Sequence, residues 1–351
     1  MKFSPKTNEL RRKVTKSLTK NIGRSSLIHK TDILQKIEIK KILISRPNHR
    51  LGNLLLITPL IQEVQATFPD CQIDLFVKGG LAPIVFQNYK NIHLIIELPK
   101  KPFDNLLKYF KVWITIKKQK YDMVINVDKG SSSGRLSAQF ADAKYKFFGD
   151  ASEEIQSKYP DYEHIAKYPI YNFREFLTQL GFEKRENPIP SIDMKLSPEE
   201  IAEGKKILHE IVPNEKKTIS FFTYATADKC YSVEWWEKFY ERLKTEYQDQ
   251  YNLVEVLPVE NVSQVGFKSP TYYSKDVREI ASVIANTEVF IGADSGIMHL
   301  ACAGLTPTLG LFSRPNIKKY QPFNNNSLGI NTNNTDIEDW IGAINQILSP
   351  K

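Results

Sequence analysis

The chain has 351 residues, 41% of them hydrophobic and 25% charged, with 19 Phe and 16 Tyr, which is enough apolar material for two cores and excludes a disordered or collagen-like polymer. No run of about 18 apolar residues occurs, the basic start lacks the features of a secretory signal, and the three widely spaced cysteines (Cys71, Cys230, Cys302) form neither a disulfide framework nor a CxxC zinc pattern, as expected in a reducing cytoplasm. The net charge of +8 is concentrated in residues 1–41, where twelve Lys and Arg stand against three acids, so the remaining body is near neutral and a nucleic-acid partner is not expected.

Residues 1–39 read as a basic N-terminal extension. Leu10, Val14, Leu18 and Ile22 recur every four residues, and on a helix they form one narrow apolar stripe among Arg11, Arg12, Lys13, Lys16 and Lys20. Two readings stay open. Residues 1–30 either lie on an anionic membrane surface, or form an ordinary packed helix or a solvated arm.

From residue 40 short strands and helices alternate. Residues 42–45 read as a buried strand, 46–52 as a loop, and 53 to about 68 as one helix ended by Pro69-Asp70. Strands are expected at 73–77, 93–98 and 123–127, with a helix over 106–119. Pro188 and Pro190 mark a linker. A second series follows, with strands at 219–223, 253–257, 289–292 and 308–312. Its helices are expected at 233–246, 277–286, 295–303 and 337–348.

This alternation predicts an α/β protein with two parallel, doubly wound sheets, in domains 40–186 and 187–351, facing a central cleft. Ligands of such sheets bind at the carboxyl ends of the strands. The loops with unusual chemistry are 46–53, 128–134, 223–229, 258–261 and 292–295.

The densest motif runs from Val289 to Leu300 (VFIGADSGIMHL). A strand ends, Gly292 permits a tight turn, and Asp294 or Ser295 caps a new helix. The amides of Ser295, Gly296 and Ile297 would then face an anion, unless the element is simply a capped helix. Asp294, Ser295 and His299 also suggest a hydrolase set, but G-x-S-x-G is absent because Ala293 replaces the first Gly.

At this motif the chain resembles glycosyltransferase family 9, the ADP-heptose:lipopolysaccharide heptosyltransferase family. The likeness lies in Asp294-Ser295-Gly296, Met298-His299-Leu300-Ala301, Thr306-Pro307 and Leu311-Phe312. In the N-terminal half it lies in the segments from Lys41 to Leu60 and from Tyr121 to Asp128, and it spans about residues 40–345. The resemblance implies a GT-B fold and an inverting transferase that needs no metal or other cofactor. The 187–351 domain, closed by its last helix, would hold a nucleotide-sugar donor such as ADP-heptose. The 40–186 domain would hold a lipid-linked saccharide acceptor, and the enzyme would be cytoplasmic, at the inner membrane face.

The resemblance also implies residue roles. Lys229 would bind the diphosphate, with Thr226 beside it, although a solvated loop lysine fits the sequence too. Glu260 would meet the nucleotide ribose or remain a surface residue. Asp294 would touch sugar hydroxyls or fix its loop, while Ser295 and Gly296 meet the diphosphate. Arg46 and Arg50, with Gly52, would meet an anionic acceptor or stand exposed. Family members carry a carboxylate base where this chain has Asn53, and an amide cannot take the proton. Asp128, His49 or Asp294 serves as base instead, or Asn53 only positions the acceptor and otherwise caps its helix, or the protein binds without turnover. A nucleotide-sugar epimerase is a further alternative on this scaffold.

Overall fold

The computed structural model describes residues 23, 38–100, 105–323 and 325–349. The stripe of Leu10, Val14, Leu18 and Ile22 lies outside them. The chain divides into two compact units. Of the described residues, the first comprises those up to His49, those within Pro59–Pro83 and those within Tyr89–Pro190; the second comprises Arg50–Thr58, Ile84–Asn88 and those from Ser191 on.

In the first unit the described strands are β1 (Lys41–Ser45), β2 (Gln72–Lys78), β3 (Ile92–Leu98), β4 (Lys120–Asn126) and β5 (Asp142–Phe147), in the parallel order β3-β2-β1-β4-β5. β1 (KILIS) is central because it is apolar on both faces, as a strand covered on both sides must be. β5 (DAKYKF) pairs only with β4, and its alternating charges suit an edge. Leu43, Phe76, Val112, Ile116, Val124 and Phe148 belong to one core. Buried Asp74 accepts from the Tyr121 hydroxyl at 2.9 Å and lies 3.4 Å from Lys41 Nζ. Asp122 accepts from the amides of Lys40 and Lys41, fastening the start of β1 to β4. Arg174 forks onto Glu63 through two 2.8 Å bonds and donates to the Asn187 carbonyl, which pins the Pro-containing linker. Removing one partner of so buried a pair costs about 3–5 kcal/mol.

The expected single helix from 53 is two helices, Leu51–Leu55 and Thr58–Thr67. Pro59 explains the break. It has no N–H and its ring crowds the carbonyl four residues back, that of Leu55. That carbonyl instead accepts from the Thr58 hydroxyl at 2.7 Å.

In the second unit the described strands are β6 (Lys217–Phe222), β7 (Tyr251–Val256), β8 (Thr271–Tyr272), β9 (Val289–Ala293), β10 (Thr308–Phe312) and β11 (Leu328–Asn331), in the parallel order β11-β10-β9-β6-β7-β8. Trp236 is fully buried on the Val233–Tyr247 helix, while Trp235 is half-buried and stacks on Trp340 of the Ile337–Leu348 helix at 4.8 Å. The Pro198–Ile211 helix, absent from the sequence reading, begins with a Ser197–Glu200 capping box. Glu200 also holds Arg278, and that guanidinium pushes its carboxyl down to about 2. Both sheets are thus doubly wound and parallel, with loops leaving the carboxyl ends of their strands.

Candidate functional site in the second unit

β9 runs into Asp294 and Ser295 before the Gly296–Ala303 helix begins. Ser295, not Asp294, is the cap: its side chain accepts from the Met298 amide. The amides of Gly296 and Ile297 lie in the first turn, where no helical carbonyl is available to them, and the helix dipole favours an anion there.

The Asp294 carboxylate is therefore available to other partners. It is buried, and its Oδ2 lies 2.7 Å from Lys229 Nζ and accepts from Asn316 Nδ2 at 2.9 Å. Lys229 ends a short turn, Ala227–Lys229, after β6. Ala227 adopts φ 59°, a left-handed conformation that costs an L-residue about 1–2 kcal/mol and aims the lysine back toward Asp294. Lys229 Nζ also lies 5.9 Å from the centre of the Tyr320 ring. Asp228 pairs with Arg314, which joins the loops after β6 and β10.

His299 sits on the next turn of the same helix. Burial lowers its pKa from 6.5 to about 4, with Lys229 acting in the same direction and Asp294 opposing. The ring is neutral near pH 7, and its buried Nδ1 has no hydrogen-bond partner among the described residues. A Cβ added to Gly52 would come within 2.9 Å of His299 Cδ2, so only glycine permits the Leu51–Leu55 helix to approach this closely. Asn53 does not cap that helix, because it lies inside it and Arg50 holds the cap position.

These elements surround a cavity of about 630 Å³. Arg50, Gly52, Asn53, Thr226, Lys229, Glu260, Asp294, Ser295 and Gly296 all line it, with His299, Tyr224 and Tyr320, and with Leu257, Pro258 and Ile297 as apolar wall. Behind it, fully buried Glu255 accepts from Thr223 and Ser263, both at 2.6 Å. Burial raises the Glu255 carboxyl's pKa. Its bond to Ser263 anchors the loop after β7, which carries Glu260.

Arg46, His49 and Asp128 lie in the first unit. Arg46 Nη1 donates to Asp128 Oδ2 at 2.7 Å, and the Gly130 amide donates to Oδ1 at 2.9 Å. His49 is exposed, with its Cβ against the backbone at Gly79. Sequence reasoning assigned no site role to Asn316, Tyr320 or Glu255. Asn316 and Tyr320 were findable only as polar residues following a parallel strand, and Glu255 as a carboxylate inside an otherwise apolar strand. Among the described residues, no group of three or more His, Cys, Asp or Glu is placed to hold a metal ion.

The model of "Glycosyltransferase family 9 (heptosyltransferase)" matches residues 275–339, a span that contains the Asp294–His299 motif. The chain is 22% identical over 292 residues to lipopolysaccharide heptosyltransferase 3 of Escherichia coli, covering 79% of this chain and 85% of that protein. Among solved structures it is similar to a glycosyltransferase family 9 protein of Veillonella parvula, with TM-score 0.69 and 17% identity over 90% of this chain and 99% of that one. It is also similar to E. coli heptosyltransferase WaaC with ADP, with TM-score 0.62 and 13% identity over 88% and 99% of the two chains.

The two parallel-sheet units and these similarities define a glycosyltransferase of the GT-B fold. Within that class the chain is similar to the heptosyltransferases of family 9.

Proposed function

We propose that this glycosyltransferase transfers a heptose or related sugar from a nucleotide diphosphate, ADP-heptose in the first instance, to a lipopolysaccharide core or other lipid-linked saccharide, with inversion. The relatives' names support the sugar and acceptor class. The observation that carries the reading is the convergence of four sequence-distant segments, 50–53, 226–229, 257–260 and 294–299, on one cavity with an ammonium group and a helix N-terminus.

In this reading the amides of Gly296 and Ile297 and the Lys229 ammonium hold the donor diphosphate and stabilise the charge that builds on it as the sugar leaves. Thr226 donates its hydroxyl to the same phosphates, and Glu260 accepts from the ribose. Asp294 keeps Lys229 in place, which is the loop-fixing role among those expected of it. His299 presents a neutral ring to the wall of the cavity. Asn53 orients the acceptor hydroxyl, with Arg50 meeting acidic groups on the acceptor. Asp128 is the base in this proposal, with Arg46 keeping its carboxylate oriented, and His49 is the alternative. No metal is assigned a role.

Calorimetry with ADP, UDP and GDP, followed by ADP release from ADP-heptose in the presence of lipopolysaccharide core acceptors, tests the proposal. ADP binding and acceptor-dependent ADP release are expected. Absence of heat with all three diphosphates would overturn it, and preference for UDP or GDP would replace the donor.

A further inference from the structure

The Leu106–Lys118 helix of the first unit buries one face and leaves another uncovered. Val112 and Ile116 enter the core, and Trp113 packs 5.7 Å from Phe76. On the outer side Leu107 is 86% exposed, Phe110 59%, Ile114 53% and Leu106 49%. At 100° per residue these four project within one sector of about 100°. Phe140, 50% exposed at the end of the Ser132–Phe140 helix, meets Trp113 edge to face and widens the patch.

The charge carried by the helix itself has one sign. Residues 105–120 contain Lys108, Lys111, Lys117, Lys118 and Lys120 and no Asp or Glu. Lys117 Nζ lies 6.0 Å from the Phe140 ring. The acids facing this region come from neighbouring strands: Glu97 in the groove between the helix and β3, and Asp142 near Lys146. Scattered exposed apolar side chains are ordinary on soluble proteins, but a contiguous helical stripe rimmed by lysines is not.

We propose that this face docks the protein on an anionic lipid bilayer. Leu107, Phe110 and Ile114 enter the boundary between headgroups and acyl chains, and the flanking lysines meet lipid phosphates. A fluid anionic surface matches flexible lysines and protruding aromatic and aliphatic side chains. Among the described residues no helix is long and apolar enough to cross a membrane, so contact by this face would be peripheral. The inference draws its purpose from the lipid-linked acceptor of the proposed reaction. Its readout needs neither donor nor acceptor, so the two stand or fall separately.

Flotation of the full chain with phosphatidylcholine vesicles, with and without phosphatidylglycerol, tests it. Binding is expected only with phosphatidylglycerol and is expected to weaken with salt. Leu107→Ser combined with Phe110→Ser, and separately Lys111→Glu combined with Lys118→Glu, should each lower vesicle partition at least about tenfold. Melting temperature and nucleotide binding should stay as in the parent. Parent-like vesicle binding by both variants would overturn the proposal. So would loss of binding on deletion of residues 1–37 with the helix face intact. A dimer dissociated by the Leu107→Ser/Phe110→Ser pair, without vesicle binding, would reassign the face to a second copy.

Discussion

The loops that follow the strands of the two sheets contain the same kinds of charged residue and use them differently. In the first unit Arg46 and Asp128 bond to each other at 2.7 Å, and the Gly130 amide takes the second carboxylate oxygen. In the second unit Lys229 and Asp294 are equally close, yet the pair opens on a cavity. Beside that pair lie first-turn amides and a buried imidazole nitrogen without a partner among the described residues. An ion pair alone therefore does not distinguish structure from function. The cavity and its first-turn amides do, because those amides have no helical carbonyl and a ligand can supply the partner; an orphaned buried atom alone does not, since Asn126 Oδ1 beside Asp128 also lacks a partner among the described residues.

The largest expected effect breaks this comparison. If Asp128 takes the acceptor proton, Asp128→Asn lowers turnover by about 10²–10⁴-fold while leaving donor affinity intact. If the Arg46–Asp128 pair only braces its loop, the same substitution lowers melting temperature and leaves turnover near the parent's. Single-turnover rates and thermal melts on one sample distinguish the two outcomes, and His49→Gln tests the alternative base in the same assay.

Next in size is the pH response of the second unit. His299 has its pKa lowered from 6.5 to about 4, chiefly by burial. Between those values the unfolded chain takes up a proton that the folded chain refuses. Stability from this group is complete above about pH 6.5 and is lost as pH falls toward 4, by at most about 3 kcal/mol. His299→Gln should flatten that acid loss in urea titrations at pH 7 and near pH 5. A slope equal to the parent's would show that another group carries the response.

How much of this was legible follows from what each residue's neighbours are. The central strands were readable because apolar runs such as KILIS have one solution in a doubly wound sheet. β5 was not, because an edge strand carries its charges outward and lacks an apolar run. Ser295 and Gly296 were legible because a strand, a cap and a helix lie consecutively in the motif. The break at Pro59 was present in the sequence, yet the periodicity of 53–68 outweighed it; the Leu55 carbonyl's bond to Thr58 is what the structure adds. The pairing of Asp294 with Lys229 joins positions 65 residues apart, and no local pattern encodes it. Asn53 shows the limit from the other side, since its chemistry was clear from the sequence but its place inside the helix was not.

The smallest of these effects sharpens the comparison most. Lys229→Ala removes a charge-assisted bond to a diphosphate, worth about 1.5–3 kcal/mol of donor affinity. It also leaves the buried Asp294 carboxylate with Asn316 as its remaining side-chain partner among the described residues, placing a negative charge where the phosphates should sit. Asp294→Asn added to Lys229→Ala removes that repulsion. The double variant should therefore bind ADP more tightly than Lys229→Ala alone, while still binding more weakly than the parent. Calorimetry over the four proteins of this double-mutant cycle yields the coupling between the two positions. Additive losses would mean that the pair acts on the ligand as two independent residues. Unchanged affinity in Lys229→Ala would place the diphosphate elsewhere and leave the Lys229–Asp294 bond with a bracing role alone.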